Sequence, residues 1–315
     1  MTTVADGERS ERLRGWHTEM SRLRAFEEAV AEGHAADELP GLLHLSMGGE
    51  AVVTATVACM GDADRLFSTH RPHAHFIAAG VEERDVMAEL AGKETGLCHG
   101  RAGTMHLMAD RAVMATGIVG GTLPIALGYA TTLPEDAIAV CFFGDGAVQT
   151  GVFHEAMNLA ALWKAPVLFV CENNGWAEFS SREEHTTVGN VVRYGELYRI
   201  PSAEVDGSDV EAVHQACEEL SGPVREGAGP ALLECHIARL RSHYEGDWRE
   251  QRSEGDPLLA IERTLVELGT DAEELGGTRS ERLEAARALL RSVLDEEPAA
   301  DPSRDAGMVF AKAIA

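Results

Sequence analysis

The sequence predicts an α/β protein: a mostly parallel sheet with helices on both faces, a helical N-terminal arm and a helical C-terminal tail. Three observations predict it. Two nearly uninterrupted apolar runs, 137–143 (AIAVCFF) and 166–171 (PVLFVC), have the length and composition of strands buried on both faces. Between them Val148, Val152, Ala156, Leu159, Leu162 and Trp163 recur with helical spacing. Each run also ends in turn-forming residues, Gly144-Asp145-Gly146 and Asn173-Asn174, as strand–loop–helix alternation requires.

The remaining elements follow in order. Residues 10–31 read as an amphipathic helix with Leu13, Trp16, Met20, Leu23, Phe26 and Val30 on one side. Residues 49–60 form a small, apolar helix suited to tight packing, and 82–91 another. The Gly- and Ala-rich stretch 115–132 leads through GIVGG into a helix able to cross close to a twofold mate or a cofactor. Strands are expected at 138–143, 167–171, 202–205 and 231–237, with a helix over 209–220 capped by Ser208 or Asp209. Two segments read as mobile: 180–194, polar and aperiodic, and 239–255, charged and interrupted. A long charged loop in a compact domain is more often functional than incidental. The expected division is an arm at 1–35, the main domain at 36–270 and a tail at 271–315.

Composition narrows the function. A chain of 315 residues buries one large core or two modest ones. A net charge of −25 argues against nucleic acid, whose binding rests on Lys and Arg neutralising phosphates. No apolar run reaches the roughly 18 residues of a membrane span. The N-terminus carries neither a secretory core nor the acid-poor character of an organellar leader, so a cytoplasmic location is expected. Six scattered cysteines without a CxxC pair fit buried free thiols rather than disulfides or zinc.

The motif that carries chemistry is GDG at 144–146, then 26 residues, then NN at 173–174. Asp145 offers a hard carboxylate and Asn174 a neutral amide oxygen, while the glycines let phosphate oxygens approach the backbone. Magnesium needs few protein ligands when substrate phosphates and water supply the rest. A helix beginning near Ala147 would aim unpaired N–H groups at the same anion. The cluster His70, His73 and His75 is a weaker candidate for zinc, since no carboxylate or Cys completes plausible ligand spacing.

This segment resembles the thiamine diphosphate signature. The chain, from about Arg22 to about Leu258, resembles the alpha subunit of the 2-oxo acid dehydrogenase decarboxylase component, of the pyruvate and acetoin type. Further blocks carry the likeness in order: LLHLSMGGEA (42–51), STHRPHAHF (68–76), HGRAGTMHL (99–107), TGIVGGTLP (116–124) and RSHYEGD (241–247).

The resemblance implies a thiamine diphosphate-binding fold and assigns roles. Asp145 and Asn174 bind magnesium through side chains and Trp176 through its carbonyl, although a tyrosine is often found there. Gly146 and Ala147 add backbone contacts. Arg71 matches the diphosphate-binding arginine, with His70 in place of a tyrosine; Arg suits bidentate phosphate binding. Gly117 and Val119 match positions whose backbone meets the aminopyrimidine. His44 and Ala109 match further pocket positions, although a hydrogen-bonded core histidine reads equally well for His44. His243 matches the catalytic loop histidine that contacts the diphosphate and assists acyl transfer. His73 is a second catalytic candidate, with Leu45 and Met47 near the substrate. Tyr244 and Arg241 replace a phosphorylated serine and a histidine, which argues against kinase control there.

The same resemblance implies an oxidoreductase in which the glutamate that activates the cofactor lies on a beta subunit. Glu50 is not assigned that role. The expected assembly has two alpha and two beta chains and is active only when complete. The substrate is a small molecule, acetoin, pyruvate or a branched 2-oxo acid, and the wording around His70 and His243 leans towards acetoin. The acyl fragment passes to a lipoyl-bearing acyltransferase or, alternatively, to a carrier protein in a biosynthetic pathway.

Overall fold

The computed structural model describes residues 4–247 and 254–299. Parts of two expected features, 248–253 of the charged loop and 300–315 of the tail, lie outside the described residues. The chain runs α1 (Val4–Ala35), α2 (Glu50–Ala58), β1 (Arg65–Ser68), α3 (His73–Ala78), α4 (Glu83–Leu90), β2 (Ala112–Ala115), α5 (Thr122–Ala130) and β3 (Ala139–Gly144). A 3-10 turn (Asp145–Gln149) leads to α6 (Gly151–Trp163), β4 (Val167–Asn173), β5 (Trp176–Ala177), β6 (Ser180–Ser181), α7 (Arg182–His185) and α8 (Val192–Tyr198). Then come β7 (Ser202–Asp206), α9 (Val210–Arg225), β8 (Ala231–His236), α10 (Pro257–Glu267) and α11 (Ala272–Leu294).

The main sheet has six strands in the order β2-β1-β3-β4-β8-β7, and every pair in it is parallel. Alternation along the central strands explains their unbroken apolarity. Val140 and Phe142 of β3 join one buried cluster, with α1, α2, α9 and α10. Ala139, Cys141 and Phe143 join the other, under α5 and α6. A strand covered on both faces has no polar side to show. β7, at the edge, is only partly buried.

Several local readings hold, and some change. Of the two candidate caps for α9, Asp209 is the one used, accepting from the N–H groups of Glu211 and Ala212. The helix expected to begin near Ala147 starts at Gly151; residues 145–149 form the 3-10 turn, and Thr150 caps α6 through the Phe153 N–H. The segment 180–194 is less irregular than expected, since it contains β6, α7 and the start of α8. Strands β1 and β2 were not expected; each is only four residues long.

The first helix packs against the core: Leu13, Met20, Leu23, Phe26 and Val30 lie inside the main apolar cluster, to which Leu275 and Leu290 of α11 also belong. All six cysteines are free thiols, four of them buried. Among the described residues no helix is long and apolar enough to cross a membrane.

The strand order locates a site. Chain connections leave β1 towards one edge and β3 towards the other, and such a reversal opens a crevice beyond the carboxyl ends of the strands. It brings residues 69–71, after β1, opposite residues 144–147, after β3.

Candidate active site

A cleft of about 410 Å³ occupies that crevice, within the range of small-molecule sites. Its lining gathers His44, His70, Arg71, Gly117, Val119, Asp145, Gly146, Ala147, Asn174, Trp176 and His243 from separate parts of the chain. Leu45 and Met47 line an adjoining pocket beside Thr69, His70 and Arg71, and two of the expected cofactor and catalytic residues are not brought to the cleft. His73 is fully buried with both ring nitrogens engaged, Nδ1 with Glu27 at 2.9 Å and Nε2 with Thr104 at 2.8 Å. Its helix starts after Pro72, which turns His73 and His75 into the core while His70 and Arg71 stay at the cleft. Ala109 donates its N–H to the Ala112 carbonyl and packs against the main core, so it shapes the approach to β2 and does not line the cleft.

One wall is acidic. Asp145 is buried, and neither carboxylate oxygen receives a hydrogen bond. Burial pushes its pKa up to about 6, although the Arg182 guanidinium, 3.6 Å away, and nearby backbone amides offset part of that effect. Such a carboxylate, opposed only by Arg182 and without a well-formed hydrogen bond, can take a further cation or a proton. Asn174 flanks it, its amide oxygen fixed by the Trp176 N–H at 3.0 Å. Gly144 has nothing within 4 Å of where a side chain would begin, leaving the backbone open. At Gly146 a Cβ would meet Ala177 at 2.9 Å, so glycine lets β5 close over the turn. These features fit a divalent metal held by Asp145 and Asn174.

The facing wall is cationic. Arg71 is anchored by the Leu45 carbonyl at 2.6 Å and the His243 carbonyl at 2.9 Å, and a second contact reaches His243 Nδ1 at 3.4 Å. The rings of His44, His70 and His243 stack edge to face or tilted, with centroids 4.8–5.4 Å apart. Their nitrogens approach one another closely enough for a metal, but burial beside Arg71 makes the group hostile to a cation. Burial first, then Arg71, lowers His243 to about 3 and His44 to about 4, and holds His70 well below its ordinary value. Burial also lowers Arg71 to about 10, aided by Arg239. His70 Nε2 is buried without a partner. A buried guanidinium among neutral imidazoles, with His70 Nε2 left unpartnered, fits a polyanion such as a diphosphate.

Sequence reasoning missed several lining residues, among them Thr69, Met105, Thr116, Glu178 and Arg239. Thr69, Met105 and Thr116 lie inside recognised blocks and Arg239 beside one, and that position was the available signal. Glu50 is occupied, accepting from Arg24 Nε at 2.5 Å and the Gly48 N–H at 2.8 Å. Ile118, 71% exposed, and Val119, 56% exposed, leave an apolar rim at the mouth of the cleft.

The sequence matches the family described as Dehydrogenase E1 component over residues 18–286. It is 41% identical over 251 residues to the alpha subunit of acetoin:2,6-dichlorophenolindophenol oxidoreductase of Bacillus subtilis (strain 168), covering 78% of this chain and 75% of that one. Identity to the subunit of the same name from Cupriavidus necator is 37% over 295 residues, covering 90% and 89%. Against the pyruvate dehydrogenase E1 component subunit alpha of Rhizobium meliloti (strain 1021) it is 32% over 286 residues, covering 86% and 82%. By this family match and these relatives, the chain belongs to the dehydrogenase E1 component family, as a subunit of the alpha type.

Proposed function

We propose that the chain is the alpha subunit of a thiamine diphosphate- and magnesium-dependent oxidoreductase that cleaves acetoin or pyruvate. It would pass the acyl fragment to a lipoyl-bearing acyltransferase. Family membership implies the thiamine cofactor and a beta-type partner. The observation that carries the reading is Asp145: a buried carboxylate without a hydrogen bond, beside Asn174 and across a cleft from Arg71, His70 and His243. Acetoin leads on one comparison, the 41% identity to the acetoin relative from Bacillus subtilis, against 32–37% for the pyruvate relatives compared.

When bound, the cofactor supplies a carbon nucleophile and an electron sink for cleaving the bond beside a carbonyl. The protein supplies placement and charge. Asp145, Asn174 and the Trp176 carbonyl would hold magnesium, and Gly146 and Ala147 add backbone contacts. Arg71 and His70 would hold the diphosphate, with His44 behind them, and the backbone of Gly117 and Val119 would face the pyrimidine. His243 is near 3 in the cationic cleft; a bound polyanion raises its basicity, which suits it to proton transfer beside the substrate. The exposed Ile118 and Val119 favour a partner surface over the mouth, in keeping with two alpha and two beta chains.

The test is co-expression with a beta-type subunit and a dye-reduction assay. Acetoin, pyruvate and branched 2-oxo acids are each supplied with and without thiamine diphosphate and magnesium. Turnover confined to the complete assembly with both additions supports the reading. Equal turnover by this chain alone, or none by the assembly with any of these substrates, refutes it.

A further inference from the structure

Arg182 opens the short helix α7 and is held on two sides by backbone. Its Nε donates to the Gly189 carbonyl at 2.6 Å and its Nη2 to the Val188 carbonyl at 3.4 Å. Its own N–H donates to the Gly175 carbonyl at 2.9 Å, fixing the start of α7 to the turn that follows Asn174. The third nitrogen, Nη1, is buried, makes no hydrogen bond and lies 3.6 Å from Oδ2 of Asp145. Two buried, opposite charges thus face each other without a hydrogen bond in good geometry. The carboxylate's remaining side faces the cleft and Asn174. A divalent ion on that carboxylate would stand only a few ångströms from a fixed guanidinium, and like charges at that range in a buried site repel strongly.

We propose that Arg182 is a resident counter-charge for Asp145 that competes with the incoming divalent cation, so that this side chain sets how tightly the assembly holds its metal. The proposal rests on the metal-site reading of Asp145 and adds a residue outside the ligand set. Arg182 compensates the buried carboxylate and weakens the cation's hold, keeping the ion exchangeable. A purely structural role predicts the opposite sign, because a loosened strap would loosen the metal with it. A role in gripping the diphosphate likewise predicts weaker metal binding once Arg182 is removed.

The experiment is a Mn²⁺ titration of the alpha–beta assembly at saturating thiamine diphosphate, read by the electron paramagnetic resonance of the free ion. It compares the parent with Arg182→Gln and Arg182→Lys. Removing the charge is expected to tighten Mn²⁺ binding about tenfold, the scale of one like charge near the ion, while Arg182→Lys stays close to the parent. If Arg182→Gln does not assemble, Arg182→Met is used in its place. Unchanged or weaker Mn²⁺ binding in the charge-removed variant overturns the proposal while leaving the metal site standing. Failure of the parent assembly to take up Mn²⁺ overturns both.

Discussion

Arg71 holds the His243 loop by its backbone: Nη2 donates to the His243 carbonyl at 2.9 Å, while Nη1 of the same guanidinium donates to the Leu45 carbonyl. One side chain therefore ties the loop after β8 to the segment before α2, and the expected diphosphate site lies between them. Arg71→Ala removes the cation and the tether together. Bonds from a charged donor contribute roughly 1.5–3 kcal/mol each, so thiamine diphosphate affinity of the alpha–beta assembly should fall at least tenfold by calorimetry. Arg71→Lys should recover only part of it, because an ammonium cannot span both carbonyls as a planar fork does. Full recovery in the lysine variant would show that charge alone matters here.

Asp145 gives a prediction in two parts. A buried charged group left unsatisfied costs about 1–3 kcal/mol or more, and Asp145→Asn strips the Arg182 guanidinium, 3.6 Å away, of its counter-charge. Asp145→Asn should therefore lower the thermal midpoint of the cation-free assembly and abolish the rise that Mg²⁺ with cofactor brings. Both are read in one melting series with and without those additions. A variant that keeps the Mg²⁺-dependent rise would remove Asp145 from the ligand set.

The legible part of this site was the part written as strand ends. Asp145 and Asn174 follow β3 and β4 directly, and a parallel sheet places successive strand ends along one edge, so spacing in sequence became proximity in space. What stayed hidden depends on direction rather than distance along the chain. His70, Arg71, His73 and His75 share six residues, yet Pro72 starts a helix between them and sends two to the cleft and two into the core. His73 then meets Glu27, 46 residues away, a partnership no local pattern announces. β1 and β2 were hidden by brevity: four residues are too few for a period to show, and only pairing with the sheet makes strands of them. Arg182 lay within a stretch read as mobile, and only folding brings it to Asp145.

The histidines predict a pH dependence. His243 and His44 sit at about 3 and about 4 against an ordinary 6.5, and His70 lies well below it. Depressed folded values mean that the unfolded chain binds more protons as pH falls. The stability these neutral rings contribute is present above 6.5 and is lost as pH drops towards 3. A bound diphosphate favours the charged rings and should lessen that loss. Melting midpoints at about pH 7.5 and about pH 5.5 should therefore fall further for the cofactor-free assembly than for the loaded one. His243→Asn should narrow the difference, and identical slopes for both forms would count against an anion among these rings.

Glu89 organises the glycine-rich loop that leads to Met105 and the cleft. Its carboxylate is fully buried and accepts four backbone N–H bonds, from Cys98 at 2.7 Å, Gly100 at 2.8 Å, Ala102 at 2.6 Å and Gly103 at 3.2 Å. Glycine is required close by, since a Cβ at Gly96 would lie 2.6 Å from the Glu89 backbone. Glu89→Ala deletes the acceptor for all four donors, and orphaned buried groups cost about 1–3 kcal/mol each where water cannot reach them. The loop should relax outward to find water, because its far side is exposed at Arg101 and His106. Hydrogen exchange of the alpha–beta assembly should then accelerate at those four amides by at least a hundredfold, roughly the effect of losing 3 kcal/mol of local protection. The core strands β3 and β4 should stay protected. Glu89→Gln, which keeps an acceptor oxygen but not the charge, should fall between parent and alanine. Equal acceleration in β3 would mean that Glu89 supports the whole domain rather than this loop, and the loop's placement of Met105 would need another cause.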